Sequence, residues 1–482
     1  MASRPGQRDL TTGPIGPALL AFALPTLGSN ILQSLNGSIN AIWVGRFLGE
    51  DAIAATSNAN IIMFLMFGAV FGFGMAATIL VGQSFGRRDV EGGRRAFGAA
   101  IGLVLAGSVG IAILGWLFSS EILHVLATPG DAMPLAHAYL QVIFLGLPAS
   151  MLLVLIMMGL RGTGDSLTPL WFMALSVVLD SGLNPLLIAG IGPFPRLGIA
   201  GSAWATLIAN HLAVAGLVAY VYAKDLPIRL RGAELAWIMP GRDLAGTIVR
   251  KGLPMGAQML VMSSAGLTMV GLVNRQGVDT AAAYAVSQQL WTYIQMPALA
   301  IGAAVSAMAA QNIGANRWDR VASVTGYGVL YNIALTGVVV AAVILFDRQV
   351  MTLFVPGTSP ALPIARHIQL IASWNFVVFG VTMVLFSTVR ANGAVLAPLL
   401  FLFISMYPVR IGFALGARAW LGVDSLWWSF PVGSVVNLGM AAFYYRYGDW
   451  RRGSLVVPPD AQEAHEQSHT VAEPGGRLQP SG

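Results

Sequence analysis

Asp180 stands in the stretch VVLDSGLNPLL, Val177 to Leu187, a carboxylate inside a run otherwise made of Leu, Val and Ile. Ser176 and Asn184 fall four residues to either side of it and share its helix face, so one stripe of an apolar helix is polar. Pro185 has no N–H, and the carbonyl of Ser181 therefore loses its intrahelical donor beside the carboxylate. A carboxylate, an amide and a freed carbonyl can hold a proton, a sodium ion or a water. Low-dielectric surroundings penalise the charged form of a carboxyl group, which is how such groups come to load and release protons near neutral pH. Two roles are open to Asp180: an ion-coupling group facing a cavity, with Asn184 and Ser176 beside it, or a packing residue bonded permanently to Ser176, Asn184 or a neighbouring helix.

Further polar residues recur at helical spacing. Gln33, Asn36 and Asn40 make one face, and Thr206 and Asn210 another. These faces suit the wall of a substrate cavity or the gluing of helices, since amides bond across helices in membranes. His211, next to Asn210, reads as a packed or interfacial histidine. Arg410, in MYPVRIGF, is the clearest deep base and a further cavity candidate. It either polarises the cavity or snorkels and bonds carbonyls.

The elements that must carry these residues are transmembrane helices. The 482 residues are 56% hydrophobic and only 10% charged, with mean hydropathy +0.71, whereas soluble domains carry about a quarter charged residues. Twelve apolar runs, at 15–46, 53–84, 96–119, 134–160, 166–191, 198–223, 245–274, 280–312, 322–346, 364–389, 395–418 and 424–446, are each long enough to cross a bilayer. Lipid offers the backbone no hydrogen bonds, and runs of this continuity choose helices over a barrel. The acidic residues lie in loops, tails or near helix ends except Asp180. Counted from Ser166 it sits about 21 Å along its helix at 1.5 Å per residue, where an aspartate costs about 2.5–3.5 kcal/mol to insert.

The chain repeats itself. GEDAIAA (49–55) recurs as GVDTAAA (277–283), VGQSFGRR (81–88) as AAQNIGAN (309–316), and LRGTGDSLTPL (160–170) as VRANGAVLAPL (389–399), at offsets of 228, 228 and 229. Two six-helix units follow. Because six is even, both enter the bilayer from the same side, and their pseudo-twofold axis runs along the membrane normal. Expected divisions are an N-terminal tail (1–14), an N-terminal lobe (15–223), a linker (224–244), a C-terminal lobe (245–446) and a disordered tail rich in Pro and Gly (447–482).

Twenty of the 27 basic residues fall in the even-numbered connections and the two tails. The positive-inside rule then makes both termini cytoplasmic, and the expected location is the cell (inner) membrane. The same distribution accounts for the net charge of +6 through topology and lipid contact, with no nucleic acid as partner. Thiol chemistry is excluded by the lack of cysteine. An intramembrane aspartyl protease needs two deep aspartates, RGTGDS lacks the lysine of a phosphate-binding loop, and His465 and His469 make no metal site, so no enzyme is expected.

In WVGRFLGEDAIAA, GQSFG, LRGTGDSLTP and LGIAGSAWATLIAN, in that order, with their second-half echoes, the chain resembles the multidrug and toxic compound extrusion (MATE) family over residues 15–446. The resemblance implies two lobes around a V-shaped cavity. It implies a secondary active antiporter that exports small amphipathic, cationic drugs or metabolites by alternating access, with protons or sodium as coupling ion and no other cofactor. A monomer is expected. Members often carry an acid where Asn40 stands, and some a glutamate near Met262; neither is present. In the fifth span the family pattern has an asparagine followed four residues later by an aspartate, and Asp180 and Asn184 are that pair exchanged. Two other readings stay open: a flippase for lipid-linked oligosaccharide from the same superfamily, and a degenerate, non-transporting sensor or scaffold.

Overall fold

The computed structural model describes residues 9–125, 133–352, 354 and 358–452. Every regular element among them is helical. The long helices are α1 (Ile15–Leu48), α2 (Glu50–Gly86), α3 (Val90–Leu117), α4 (Met133–Gly162), α5 (Leu167–Ala189) and α6 (Ile199–Ala223) in the first half. In the second half they are α7 (Arg242–Asn274), α8 (Val278–Gly314), α9 (Trp318–Leu345), α10 (Ala361–Ala372 followed by Asn375–Ala391), α11 (Leu396–Gly416) and α12 (Asp424–Tyr447). Ten are long and apolar enough to cross a membrane among the described residues, α10 is an eleventh bent by 43°, and α2 runs as one helix for 37 residues. Helix ends fall within a few residues of the apolar runs, because the runs end where glycine and charge begin.

The repeated motifs are the places where the backbone does something only certain residues allow. Gly49 and Gly277 take φ of +86° and +113° before α2 and α8, and Gly164 and Gly393 take +92° and +86° in the turns before α5 and α11. A side chain is strained in that region, which is why glycine recurs at these four places.

The first lobe's core, centred on α2 to α6 with Phe97, Phe144, Leu147 and Met151 among its buried residues, also takes in Ile248, Ala309, Val389 and Trp450 of the second half; the second lobe has a further, aromatic core in which Tyr284 is in ring contact with Trp291, Trp427 and Phe430. The lobes meet at the end carrying both termini. There α2 packs on α7 and α8, with Gly72 against the backbone of Gly252 and Gly256, and the start of α1 lies on α8 and α9. Each lobe also donates one glutamine to the other: Gln83 Nε2 to the carbonyl oxygen of Ala391 at 2.6 Å, and Gln311 Nε2 to that of Gly162 at 2.9 Å.

Two tails depart from their simplest reading. Leu10, within the expected N-terminal tail, is fully buried. Its N–H donates to Gln311 Oε1 (3.3 Å) and its carbonyl oxygen accepts from Asn312 Nδ2 (3.0 Å), while Arg317 and Arg320 donate to the carbonyls of Thr11 and Gly13. At the far end, residues 447–452 are ordered, contrary to the expected disorder. Trp450 is buried between Trp318 and Tyr445, and its carbonyl oxygen accepts from Asn392 Nδ2. A strand of tail that finds an apolar slot and partners for its carbonyls stays put whatever its neighbours' composition. The rest of that tail, 453–482, lies outside the described residues.

Candidate functional site

Asp180 lies about 20 Å along α5 from its first turn, at 1.5 Å per residue. Its packing is set by small residues: Gly201 of α6 sits against the carbonyl of Leu187, and Gly28 of α1 against Leu170. α5 can therefore approach both neighbours closely, and the three helices bring their polar stripes together.

The carboxylate is 1% exposed and accepts four hydrogen bonds. Asn36 Nδ2 (2.8 Å) and Asn40 Nδ2 (2.9 Å) donate to Oδ2. Thr206 Oγ1 (3.0 Å) and Asn184 Nδ2 (3.2 Å) donate to Oδ1. Asn184 Nδ2 also reaches Asn40 Oδ1 at 2.9 Å, which ties the residue at the family's acid position to the exchanged pair in α5. No Lys or Arg forms an ion pair with Asp180 among the described residues. The negative charge is met by neutral dipoles from α1, α5 and α6, an arrangement that holds it without neutralising it.

Such a site can exchange its guest. An ionised carboxylate only accepts, whereas a protonated one must donate one bond. Three of the four partners are amide N–H groups, which cannot accept. Thr206 alone can reverse without an amide turning over, because its hydroxyl has a second acceptor, the carbonyl of Ser202, at 3.3 Å. Protonation at Oδ1 thus requires one hydroxyl to turn and nothing else to move. Two amide oxygens beside the carboxylate, Asn36 Oδ1 and Asn184 Oδ1, are buried without a donor, as is Ser181 Oγ. Neutral oxygens of this type are what a hard cation takes as ligands.

The other expected residues divide. Ser176 lies on the same buried face but donates to Asn210 Oδ1 (2.9 Å), not to Asp180, and Asn210 Nδ2 goes on to Ser150 on α4 (2.8 Å). Ser176 and Asn210 therefore bond helices together. Gln33 is exposed and outside the network, even though it shares the helix face of Asn36 and Asn40. His211 Nδ1 is 2.8 Å from the carbonyl of Leu207 and the residue is exposed, as an interfacial histidine should be. α5 continues without a break through Pro185 to Ala189. Arg410 bonds no backbone carbonyl; its guanidinium stands 3.5 Å from the centroid of the Phe430 ring. Of the two roles the sequence left open, the carbonyl-bonding one finds no carbonyl here; the aromatic core of the second lobe supplies a ring instead. The glutamine pair closing the lobes was present in the repeat as GQSFG and AAQNIG, yet its cross-lobe partners, 308 and 149 residues away, left no local signal.

A family model described as MatE matches residues 25–186 and again residues 254–415. A relative from Bacillus subtilis (strain 168), described as probable multidrug resistance protein YoeA, is 32% identical over 437 residues, covering 90% of this chain and 94% of its own length. A second from the same organism, probable multidrug resistance protein YpnP, is 30% identical over 450 residues and covers 93% and 99%. A solved structure described as the outward-facing conformation of a multidrug resistance MATE family transporter of the MOP superfamily superposes with TM-score 0.84 over 92% of this chain and 98% of that one, at 20% identity. The fold is therefore shared well beyond the reach of sequence identity.

Proposed function

Because this chain belongs to the MatE family of multi-pass membrane multidrug transporters, we propose that it is a secondary active antiporter in the cell membrane, exporting small amphipathic cations in exchange for protons or sodium. The observation that carries this reading is the Asp180 network: one buried carboxylate, four neutral donors from three helices of the same lobe, and a single hydroxyl able to reverse.

In the proposed cycle both termini are cytoplasmic, and the lobes are closed on that side by α2, α7 and α8. A cation from outside loads Asp180. Loading neutralises the carboxylate, which weakens the bonds that Asn36 and Asn40 donate to it and turns the Thr206 hydroxyl, and so changes how α1 sits against α5 and α6. A ligand shifts such an equilibrium only through its different affinity for the two states, and the rearranged α1 is where that difference arises. Moving one charge through 100 mV is worth about 2.3 kcal/mol, enough to sustain a concentration ratio of roughly forty- to fifty-fold.

Oligosaccharide flipping fits less well, since a pyrophosphate calls for several deep bases facing one cavity. The test is efflux of a cationic dye from proteoliposomes under separately imposed proton and sodium gradients. Efflux driven by one gradient and lost in Asp180→Asn, with membrane yield unchanged, is the expected result. Dye movement that ignores both gradients, or that survives Asp180→Asn, overturns the coupling role. No movement at all leaves the scaffold reading in its place.

A further inference from the structure

Arg410 sits in a π-helical segment of α11, Ser405–Ile411. Its Nη1 reaches only the thioether sulfur of Met406 at 3.5 Å, a weak acceptor, and its Nε is buried without a hydrogen-bond partner. No carboxylate pairs with it among the described residues. The Phe430 face attracts the cation but does not accept its in-plane N–H groups. A guanidinium held in this way has unmet hydrogen-bonding capacity and unmet charge, both costly away from water.

A cavity of about 20 Å3 lies against the guanidinium, lined by Ser405, Met406, Phe430, Ser434 and Asn437 among others. One water-sized guest needs about 10–15 Å3, so the space admits a single small group and no drug. The surrounding hydroxyls are already committed. Ser405 donates to the carbonyl of Leu402, Ser434 to Asn375 Oδ1 and Thr382 to the carbonyl of Val378. Asn437 is different: its Oδ1 is buried and partnerless, and turning the amide over presents two N–H donors in the same space.

The repeat register gives the cavity its place in the molecule. At the offsets of 228–229 residues, Arg410 is the counterpart of Ser181 and Ser434 of Thr206. The pocket between α10, α11 and α12 thus stands at the place of the α4–α5–α6 junction in the first lobe, with a cation one position beyond the counterpart of the Asp180 acid. We propose that this cavity is an anion-binding site of the second lobe, taking one chloride-sized anion or the carboxylate head of a carried compound, with Arg410 as its counter-charge and Asn437 as its second donor. The site goes beyond the coupling reading and does not depend on it, since no residue is shared with the Asp180 network.

The test uses the purified full-length protein in detergent. Sodium isethionate, a bulky anion with no carboxylate, is replaced stepwise by chloride, bromide or acetate at constant ionic strength while the unfolding midpoint is followed. A saturable rise is expected, because a ligand that binds only the folded state stabilises it by mass action. The rise should vanish in Arg410→Gln, need about ten-fold more anion in Asn437→Leu, and persist in Asp180→Asn whether or not that variant transports. A rise with halides alone assigns the site to a free anion, and one with acetate alone to a carboxylate head. If Arg410→Gln fails to fold, the chloride NMR line width of the wild type, broadened by bound exchange and narrowed again by bromide, reports the same site. No saturable effect of any of the three anions on the wild type, or an effect unchanged in Arg410→Gln and Asn437→Leu, overturns the proposal.

Discussion

Gln83 and Gln311 make the same bond in opposite directions: each donates its side-chain amide to a backbone carbonyl at the end of a helix in the other lobe, Ala391 and Gly162 respectively. The residues three positions on, Gly86 and Gly314, are equally reciprocal. A Cβ on Gly86 would run into the carbonyl of Gln311, and one on Gly314 into that of Gln83. Overpacking of this kind costs about 1–3 kcal/mol when backbone must move, all of it in the closed arrangement. Gly314→Ala is therefore expected to open the end carrying the termini. The chain has no cysteine, so Ser84→Cys, beside the clasp, gives a clean probe. Its labelling by an impermeant maleimide should accelerate by about ten-fold when Gly314→Ala is added, the factor that 1.4 kcal/mol gives. Equal rates would mean the glycines do not hold the lobes shut.

Thr206 is predicted to matter through its hydroxyl alone. Thr206→Val keeps the shape but leaves Asp180 with partners that only donate, so proton-coupled efflux should fall by about a hundred-fold, the lower end of what one lost proton-handling group costs. Thr206→Ser should retain it. A valine variant that transports normally would show that the carboxylate releases an amide instead.

Gly201 is expected to be intolerant for a geometric reason. A Cβ there would press on the carbonyl of Leu187 and force α6 away from α5. Thr206, five residues along α6, would then leave Asp180. Gly201→Ala should lower the unfolding temperature and, in the fraction that folds, reproduce the coupling defect of Thr206→Val. A stable Gly201→Ala with normal coupling would show that the α5–α6 contact is slack.

Leu10 anchors the N-terminal strap. Its side chain packs among Leu19, Phe22 and residues of α8 and α9, and truncating a buried leucine to alanine costs about 2–5 kcal/mol. Leu10→Ala should lower the unfolding midpoint and raise Ser84→Cys labelling, as Gly314→Ala does. Thr12→Ala, on the same segment but not among the bonds that tie the strap down, serves as control. Unchanged midpoint and labelling in Leu10→Ala would reduce the strap to a passive tail.

Much of this was legible before any tertiary information. Helix length and apolarity set the twelve spans, and the glycines of the repeated motifs marked their turns, because both depend on residues close in sequence. Asp180 stood out since one charged group among apolar neighbours is a local anomaly. Its partners were half legible. Asn184 followed from helical periodicity, whereas Asn36, Asn40 and Thr206 belong to helices whose rotation about their own axes no single-helix pattern specifies. Gln33 shows the limit: it shares a face with Asn36 and Asn40 by spacing and still lies outside the network.

The sequence alone determined that this is an all-helical, twice-repeated membrane chain with one deep acid, since those properties follow from hydration, helix geometry and the cost of burying charge. Only the tertiary structure decided what the acid is bonded to, that Ser176 bonds Asn210 and Asn210 bonds Ser150, that Arg410 faces a ring and a small cavity, and that the lobes clasp each other through two glutamines. Each of these rests on contacts between helices far apart in sequence. Their register depends on how side chains interlock across an interface, and that is fixed only when both surfaces are present.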